Sequence, residues 1–349
     1  MANIIVPPGW RIPEREATPE PVFWNRKAFL RTLGLGAAAV ATSGCGSSFT
    51  PLEPPTGGPG DGCNAHPPSH PLQTICPTAN EDLYPPARDD RFELDRPLTD
   101  RIEAATYNNF YEFIGRMNEP NRIWDLTGPF RVRPWSVEIA GEVENPGHFD
   151  VEDLEREFGL EERLYRLRCV EAWAIAVPWA GFPLSKLIEK VKPLSTAQYV
   201  RFVSFDRPEQ AVGQAIQGWY PWPYYEALRM DEAMNELTMV ATGVYGEPLP
   251  KQHGAPLRIV APWKYGFKSP KSVHRIEFLV DRPSIFWSDV EPDEYGFYSI
   301  VNPDVPHPRW SQGMEEMLGT GERRQTLLFN GYGEWVADLY NPELLTFRS

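Results

Sequence analysis

The side chain best suited to chemistry stands in the stretch Arg166-Leu167-Arg168-Cys169-Val170-Glu171-Ala172-Trp173. The chain has four cysteines, Cys45, Cys63, Cys76 and Cys169, and only the last lies in sequence that reads as a folded domain. From Leu164 to Glu171 apolar and polar residues alternate, which predicts a strand with Tyr165, Leu167, Cys169 and Glu171 on one face. Arg166 and Arg168 then point the other way, and two guanidiniums so near favour a thiolate. A thiolate beside a carboxylate has three uses. It can be an inert core residue. It can be a nucleophile, which wants a histidine base, and none is adjacent. It can be a soft-metal ligand, completed by donors from elsewhere. This segment alone leaves all three open.

Several elements must position it. Trp135, Val137 and Ile139 alternate with polar or small residues as in a half-buried strand. Asp150 is placed to cap a short helix through Phe158 that Gly159 ends. Leu184, Leu187, Ile188 and Val191 follow the i, i+3, i+4, i+7 pattern behind Pro183, an amphipathic helix. Further strands are expected over 237–245, 256–261 and 272–280. The rest is dense in turns, with 37 prolines and 27 glycines breaking regular elements. These features predict one mixed α+β domain over residues 90–349.

Arg-Cys-Val-Glu-Ala-Trp resembles the molybdenum-cysteine motif of the sulfite oxidase superfamily. More closely, the chain resembles the catalytic subunits of bacterial periplasmic protein-methionine-sulfoxide reductases. The likeness runs from Tyr107 to Leu345 through Tyr107-Asn-Asn-Phe-Tyr-Glu-Phe113, Arg166 to Trp173, Gly243-Val-Tyr-Gly246, and Gly254-Ala-Pro256 with Arg258. It continues through Pro262-Trp-Lys-Tyr-Gly-Phe-Lys268, Asp293-Glu-Tyr-Gly-Phe-Tyr298 and His307-Pro-Arg-Trp-Ser-Gln312. The order of so many idiosyncratic stretches favours the metal-ligand use of Cys169.

The resemblance implies a sulfite-oxidase-type molybdopterin-binding fold, with mixed sheets, short helices and many loops. It implies one molybdenum-molybdopterin cofactor per chain, with Cys169 as the thiolate on the metal. Asn108, Tyr111 and Glu112 match cofactor-contacting positions. Asn109 and Glu171 would face the metal's open side, where a sulfoxide oxygen must arrive. Arg258 and the run Lys268-Ser269-Pro270-Lys271 would hold the cofactor phosphate, a task suited to fixed cations and backbone donors. Two positions depart from the family pattern. Ser204 stands where Thr is common, and His253 where Asn is common; both are expected to contact the cofactor.

The first 44 residues read as an address rather than as fold. Arg26-Lys27-Ala28-Phe29-Leu30 precedes a chargeless run of small residues, Thr32 to Ser43, too short to span a bilayer. This resembles a twin-arginine export signal with Lys in the second place, and implies a periplasmic protein exported already folded around its cofactor. Thr42-Ser43-Gly44-Cys45 resembles a lipoprotein cleavage box with Cys45 as the lipidated residue; cleavage nearby without lipidation is the alternative. Residues 45–89 are rich in Pro, Gly and Ser and read as an extended tether. Within it Cys63 and Cys76 suggest a disulfide, with free thiols, or a metal site including His66 and His70, as the other readings.

Net charge is −14, which argues against nucleic acid as a partner. The chain has no Cys-x-x-Cys-His and no Gly-x-Gly-x-x-Gly, so electrons must come from outside. The family's donor is a haem-bearing membrane subunit, and the substrates are oxidised exported proteins. Two other functions fit less well: sulfite oxidation, which would want a cationic pocket in place of Asn109 and Glu171, and a non-catalytic envelope binding protein.

Overall fold

A computed structural model describes residues 68–114 and 120–345. The export signal, Cys45 and Cys63 lie outside the described residues. The strands found are β1 (Ala87–Arg88), β2 (Ser136–Gly141), β3 (Gly147–Asp150), β4 (Glu161–Arg168), β5 (Trp173–Pro183), β6 (Tyr199–Ser204) and β7 (Tyr225–Arg229). They continue with β8 (Met239–Val244), β9 (Glu247–Pro248), β10 (Arg258–Val260), β11 (Val273–Leu279), β12 (Met314–Met317) and β13 (Arg323–Gln325). Two mixed sheets result. One runs β1-β4-β5-β12-β13, with β8 also on β5 and β9 and β10 on β8; the other runs β3-β2-β11-β6-β7. The architecture is α+β, with short helices between the strands.

The local signals act as their chemistry dictates. Asp150 accepts from the Glu152 N–H at 2.8 Å and starts the helix Val151–Phe158, which ends at Gly159 with φ 68°. Leu184, Leu187, Ile188 and Val191 form the buried face of the helix Leu184–Val191. The expected strands over 237–245, 256–261 and 272–280 are β8, β10 and β11, each trimmed at its ends.

Two expectations are corrected. The tether does not extend to residue 89, because residues from Pro71 onward are packed onto the domain. Asn80 and Tyr84 reach Glu155 at 2.8 and 2.9 Å, Thr74 donates to Gln252 at 2.6 Å, and β1 pairs with β4 in parallel. Cys76 is buried and disulfide-bonded. His70 uses its Nδ1 to accept from the Leu72 N–H, a capping role. The second correction concerns the strand carrying Cys169. β4 ends at Arg168, and residues 169–172 form the turn of the β4–β5 hairpin, in which Leu167 pairs with Ile175 and Arg168 with Ala174. The Ala172 N–H closes the turn on Cys169 O at 3.1 Å, with Ala172 in the left-handed region at φ 73°. A turn lets Cys169 and Glu171 leave the sheet and face a cavity, which a continuing strand would not.

Candidate active site

The turn is fixed from behind. Arg168, fully buried, donates to its neighbour Cys169 O and, at 2.9 Å, to Gln312 Oε1. Gln312 Nε2 and Trp310 Nε1 both donate to Val170 O at 2.8 Å. Glu315 ties Arg168 to Arg96 in a buried ionic group. Arg168 therefore does not point to solvent; it holds the turn in place. Cys169 is the free cysteine among the described residues. Its sulfur accepts from the Glu171 N–H at 3.4 Å and lies 3.7 Å from Asn109 Nδ2. Burial pushes its thiol up to about 12 and the Glu171 charge adds to the rise, while the Glu171 N–H, the Arg168 charge and Asn109 oppose it without cancelling it. The neighbouring arginines do not make a thiolate here. A bound cation would have to displace the proton.

Cys169 opens onto a cleft lined by aromatic and polar side chains. One wall is the segment 107–112, which follows the helix Arg101–Thr106. That helix ends in carbonyls with no partner of their own, and three side chains supply donors. Asn108 Nδ2 and Gln252 Nε2 reach Ala105 O at 3.1 and 3.0 Å, and His253 Nε2 reaches Ala104 O at 3.0 Å. His253 also lines the cleft. Burial and the Arg258 charge push it down to about 3, so it is neutral, and the pH-variable charge that a histidine carries on a surface does not arise.

The opposite wall brings Arg258, Ser269, Pro270 and Lys271 together. Arg258 donates to His253 O at 3.1 Å and Ser269 O at 3.0 Å, and lies over the Trp179 ring at 4.9 Å. Lys271 donates to Asn109 O at 2.7 Å. Among the described residues neither cation has a carboxylate ion-pair partner. Burial pushes Arg258 down to about 9 and Lys271 down to about 7, while it raises Glu112, also buried in the wall, to about 7. Gly254, at φ 100°, allows this approach: a Cβ there would stand 2.7 Å from the Lys271 Cβ. Two buried cations without a salt bridge among the described residues, Lys271 within the field of Glu112, fit a phosphate, and a lone buried thiol fits one soft-metal bond.

Most residues expected at the site are brought together: Asn108, Asn109, Tyr111, Glu112, Cys169, Glu171, His253, Arg258, Ser269, Pro270 and Lys271 all line the cleft. Two do not. Lys268 is buried in an ion pair with Glu226 at 2.5 Å and donates to Ala227 O, so its side chain belongs to the core. Ser204 donates to Lys271 O at 2.7 Å, supporting the wall from outside the cleft. Sequence reasoning missed the aromatic lining, chiefly Tyr107, Trp173, Trp179, Tyr224, Trp287 and Tyr295. Nothing in their spacing separates them from core aromatics.

The oxidoreductase molybdopterin binding domain matches residues 126–287. A curated relative, the protein-methionine-sulfoxide reductase catalytic subunit MsrP of Burkholderia mallei (strain ATCC 23344), is 43% identical over 333 residues, covering 94% of this chain and 93% of its own. The chain belongs to the protein-methionine-sulfoxide reductase catalytic subunit family. A solved structure, the sulfane dehydrogenase SoxCD from Paracoccus pantotrophus, covers 56% of this chain and 45% of its own at 20% identity and a TM-score of 0.38. The chain thus carries a molybdopterin-binding domain, and the fold is the α+β molybdopterin-binding fold expected from the sequence.

Proposed function

We propose that the chain binds one molybdenum-molybdopterin and removes the oxygen from methionine sulfoxide residues of exported proteins. The observation that carries the reading is the joint placement of a buried thiol, Cys169, and two buried cations without a salt bridge among the described residues, Arg258 and Lys271, in a single cleft. The name and the 43% identity of the relative support the substrate. When bound, the cofactor would supply two-electron oxygen-transfer chemistry. Sulfoxide, two protons and two electrons give thioether and water. Cys169 would hold the metal, Arg258 and Lys271 the phosphate. Tyr111 and Glu171, which line both the cleft and the surface outside it, stand on the route of entry. Methionine sulfoxide is a reversible lesion, so the activity is one of repair.

The electron donor in this reading is a haem-bearing membrane subunit, supported by the lack of a haem or dinucleotide motif in the chain and by the relative's description as a catalytic subunit. The site of action is the periplasm, reached by the twin-arginine route through the Arg26-Lys27 signal, with the mature protein either anchored through a lipid on Cys45 or free after cleavage nearby. Replacing Arg26 and Lys27 by Gln should trap precursor inside the cell; unchanged export would refute that part. The decisive test is elemental analysis of purified protein with steady-state kinetics on methionine sulfoxide and on sulfite. Molybdenum with sulfoxide reduction is expected. Efficient sulfite oxidation, or protein that lacks molybdenum after export, would overturn the reading. The carboxylates at the mouth, Glu171, Asp289 and Glu291, argue against sulfite as substrate, since like charges repel.

A further inference from the structure

Outside the deep cleft the surface carries a second, wider depression, continuous with it through Tyr111, Glu171, Trp287 and Tyr295. Its walls are aromatic. Trp287 packs against Tyr111 at 4.8 Å, Tyr295 at 5.4 Å and Tyr220 at 6.1 Å between ring centroids. Beyond Tyr220 stands Trp219, 72% exposed. So large an apolar ring in water marks a contact surface when it joins an aromatic belt. The depression is also negative. Glu171, Asp289 and Glu291 line it, and the one lining cation among the described residues, Arg309, is paired with Glu294 at 2.6 Å.

We propose that this depression seats the polypeptide on either side of the reacting methionine sulfoxide and favours lysine or arginine beside it over glutamate or aspartate. The proposal rests on the reductase reading above. Continuity with the cleft requires that a residue reaching toward Cys169 leave its flanking chain on these walls. Rings such as Trp219 and Trp287 accept main chain and aliphatic stems without sequence demands. The carboxylates then select by charge, and a lysine stem lying on an aromatic face satisfies both features.

The test uses cofactor-loaded protein with a reduced dye as donor. The substrates are dimethyl sulfoxide and three peptides of about nine residues, identical except that a central methionine sulfoxide is flanked by Lys, Ser or Glu. The kcat/KM should fall about threefold at each step from Lys to Ser to Glu, mainly through KM, as exposed charge pairs allow. The differences should vanish at about 0.5 M salt. Trp219→Ala should weaken all three peptides about fivefold or more and leave dimethyl sulfoxide unchanged. Glu291→Lys should reverse the Lys-to-Glu order. Anisotropy of the corresponding labelled thioether peptides should show the same ranking without turnover. Equal kcat/KM and equal binding for the three peptides, with all of them reduced, would overturn the proposal and leave the reductase reading standing. Equal slowing of peptides and dimethyl sulfoxide by Trp219→Ala, or a defect seen only with the membrane donor, would assign the surface to electron delivery and overturn it as well. Failure to reduce any sulfoxide would remove the reductase reading and the proposal together.

Discussion

Asn109 donates its side-chain amide to Glu171 Oε2 at 2.8 Å, and the same nitrogen lies 3.7 Å from Cys169 Sγ. One amide group therefore spans the thiol and the carboxylate, and both of its hydrogens are engaged. Glu171 Oε2 also accepts from Trp173 Nε1 at 3.2 Å. A sulfoxide oxygen arriving beside Cys169 would compete with Glu171 for the Asn109 donor. The carboxylate thus acts on substrate in two ways, by its charge and by its hold on that amide.

Glu171→Gln should separate the two effects. Gln keeps an acceptor for Asn109 and loses the charge. Glu171 is exposed, so its field is screened and worth only about 0.2–1 kcal/mol. The expected result is a two- to fivefold rise, at most, in kcat/KM for sulfite, with sulfoxide reduction within about threefold of wild type. A rise on the order of a hundredfold for sulfite would mean that the carboxylate acts as a buried charge, contrary to its exposure.

Cys169→Ser should lower activity by at least about a hundredfold, because a hydroxyl is a much poorer soft-metal ligand than a thiol. The fold should persist, with stability within about 1 kcal/mol of wild type, since Ser nearly conserves shape and can accept the Glu171 N–H. Urea denaturation and kinetics on protein of measured cofactor content check both halves. Near-normal turnover would remove Cys169 from the site.

How far the sequence spoke depended on the kind of contact. Helices and strands with strong periodicity, such as 184–191 and 136–141, were legible because burial follows period. So was the set of polar residues that belongs to the family's stretches. The end of β4 was not, because alternation continues in residue type through Glu171 while the backbone turns at Cys169. Lys268 and Lys271 look alike in sequence. Only the structure places Glu226 against the first and leaves the second in the cleft. The segment around Tyr84 read as tether from its prolines, yet its tyrosine and asparagine reach Glu155, a long-range pairing that composition does not encode.

The Lys268–Glu226 pair gives a direct test of that distinction. Both side chains are fully buried. Removing one partner leaves an uncompensated charge and should cost about 3–5 kcal/mol. Glu226→Gln or Lys268→Met alone should fall in that range, and the double variant should recover much of the loss. Molybdenum per folded Lys268→Met molecule should stay near the wild-type ratio. Its loss, with stability restored in the double variant, would return Lys268 to the phosphate site.

His253 should contribute to acid instability. Its folded value is about 3, against an ordinary value near 6.5, because burial and Arg258 disfavour the cation. Between these limits the unfolded chain binds a proton that the folded one does not, so stability falls as pH falls from about 6.5 toward 3. His253→Gln, which keeps a donor for Ala104 O, should lose about 2 kcal/mol less than wild type between pH 7 and 5. Denaturation midpoints of cofactor-free protein at the two pH values measure it. An unchanged acid slope would show that His253 is no source of the effect.

Arg258 and Lys271 make the strongest demand on the protein without its cofactor. Each is a cation held from water whose hydrogen bonds go to carbonyls; burial pushes Arg258 down to about 9 and Lys271 down to about 7, with Glu112 opposing the fall of Lys271. Above those values the unfolded chain binds more protons than the folded one, up to the ordinary range above 10, so cofactor-free stability should rise as pH rises from about 7 to 9. A bound phosphate reverses the balance by giving each cation an anion. Lys271→Met should therefore flatten the pH dependence of the cofactor-free protein without lowering its stability at pH 7 by more than about 1 kcal/mol. It should also weaken cofactor retention about tenfold, and Lys271→Met with Arg258→Met should abolish retention. Elemental analysis after gel filtration, beside urea denaturation at pH 7 and 9, reads both. Full molybdenum content in the double variant would mean that the phosphate lies elsewhere and that these two cations have a structural role alone.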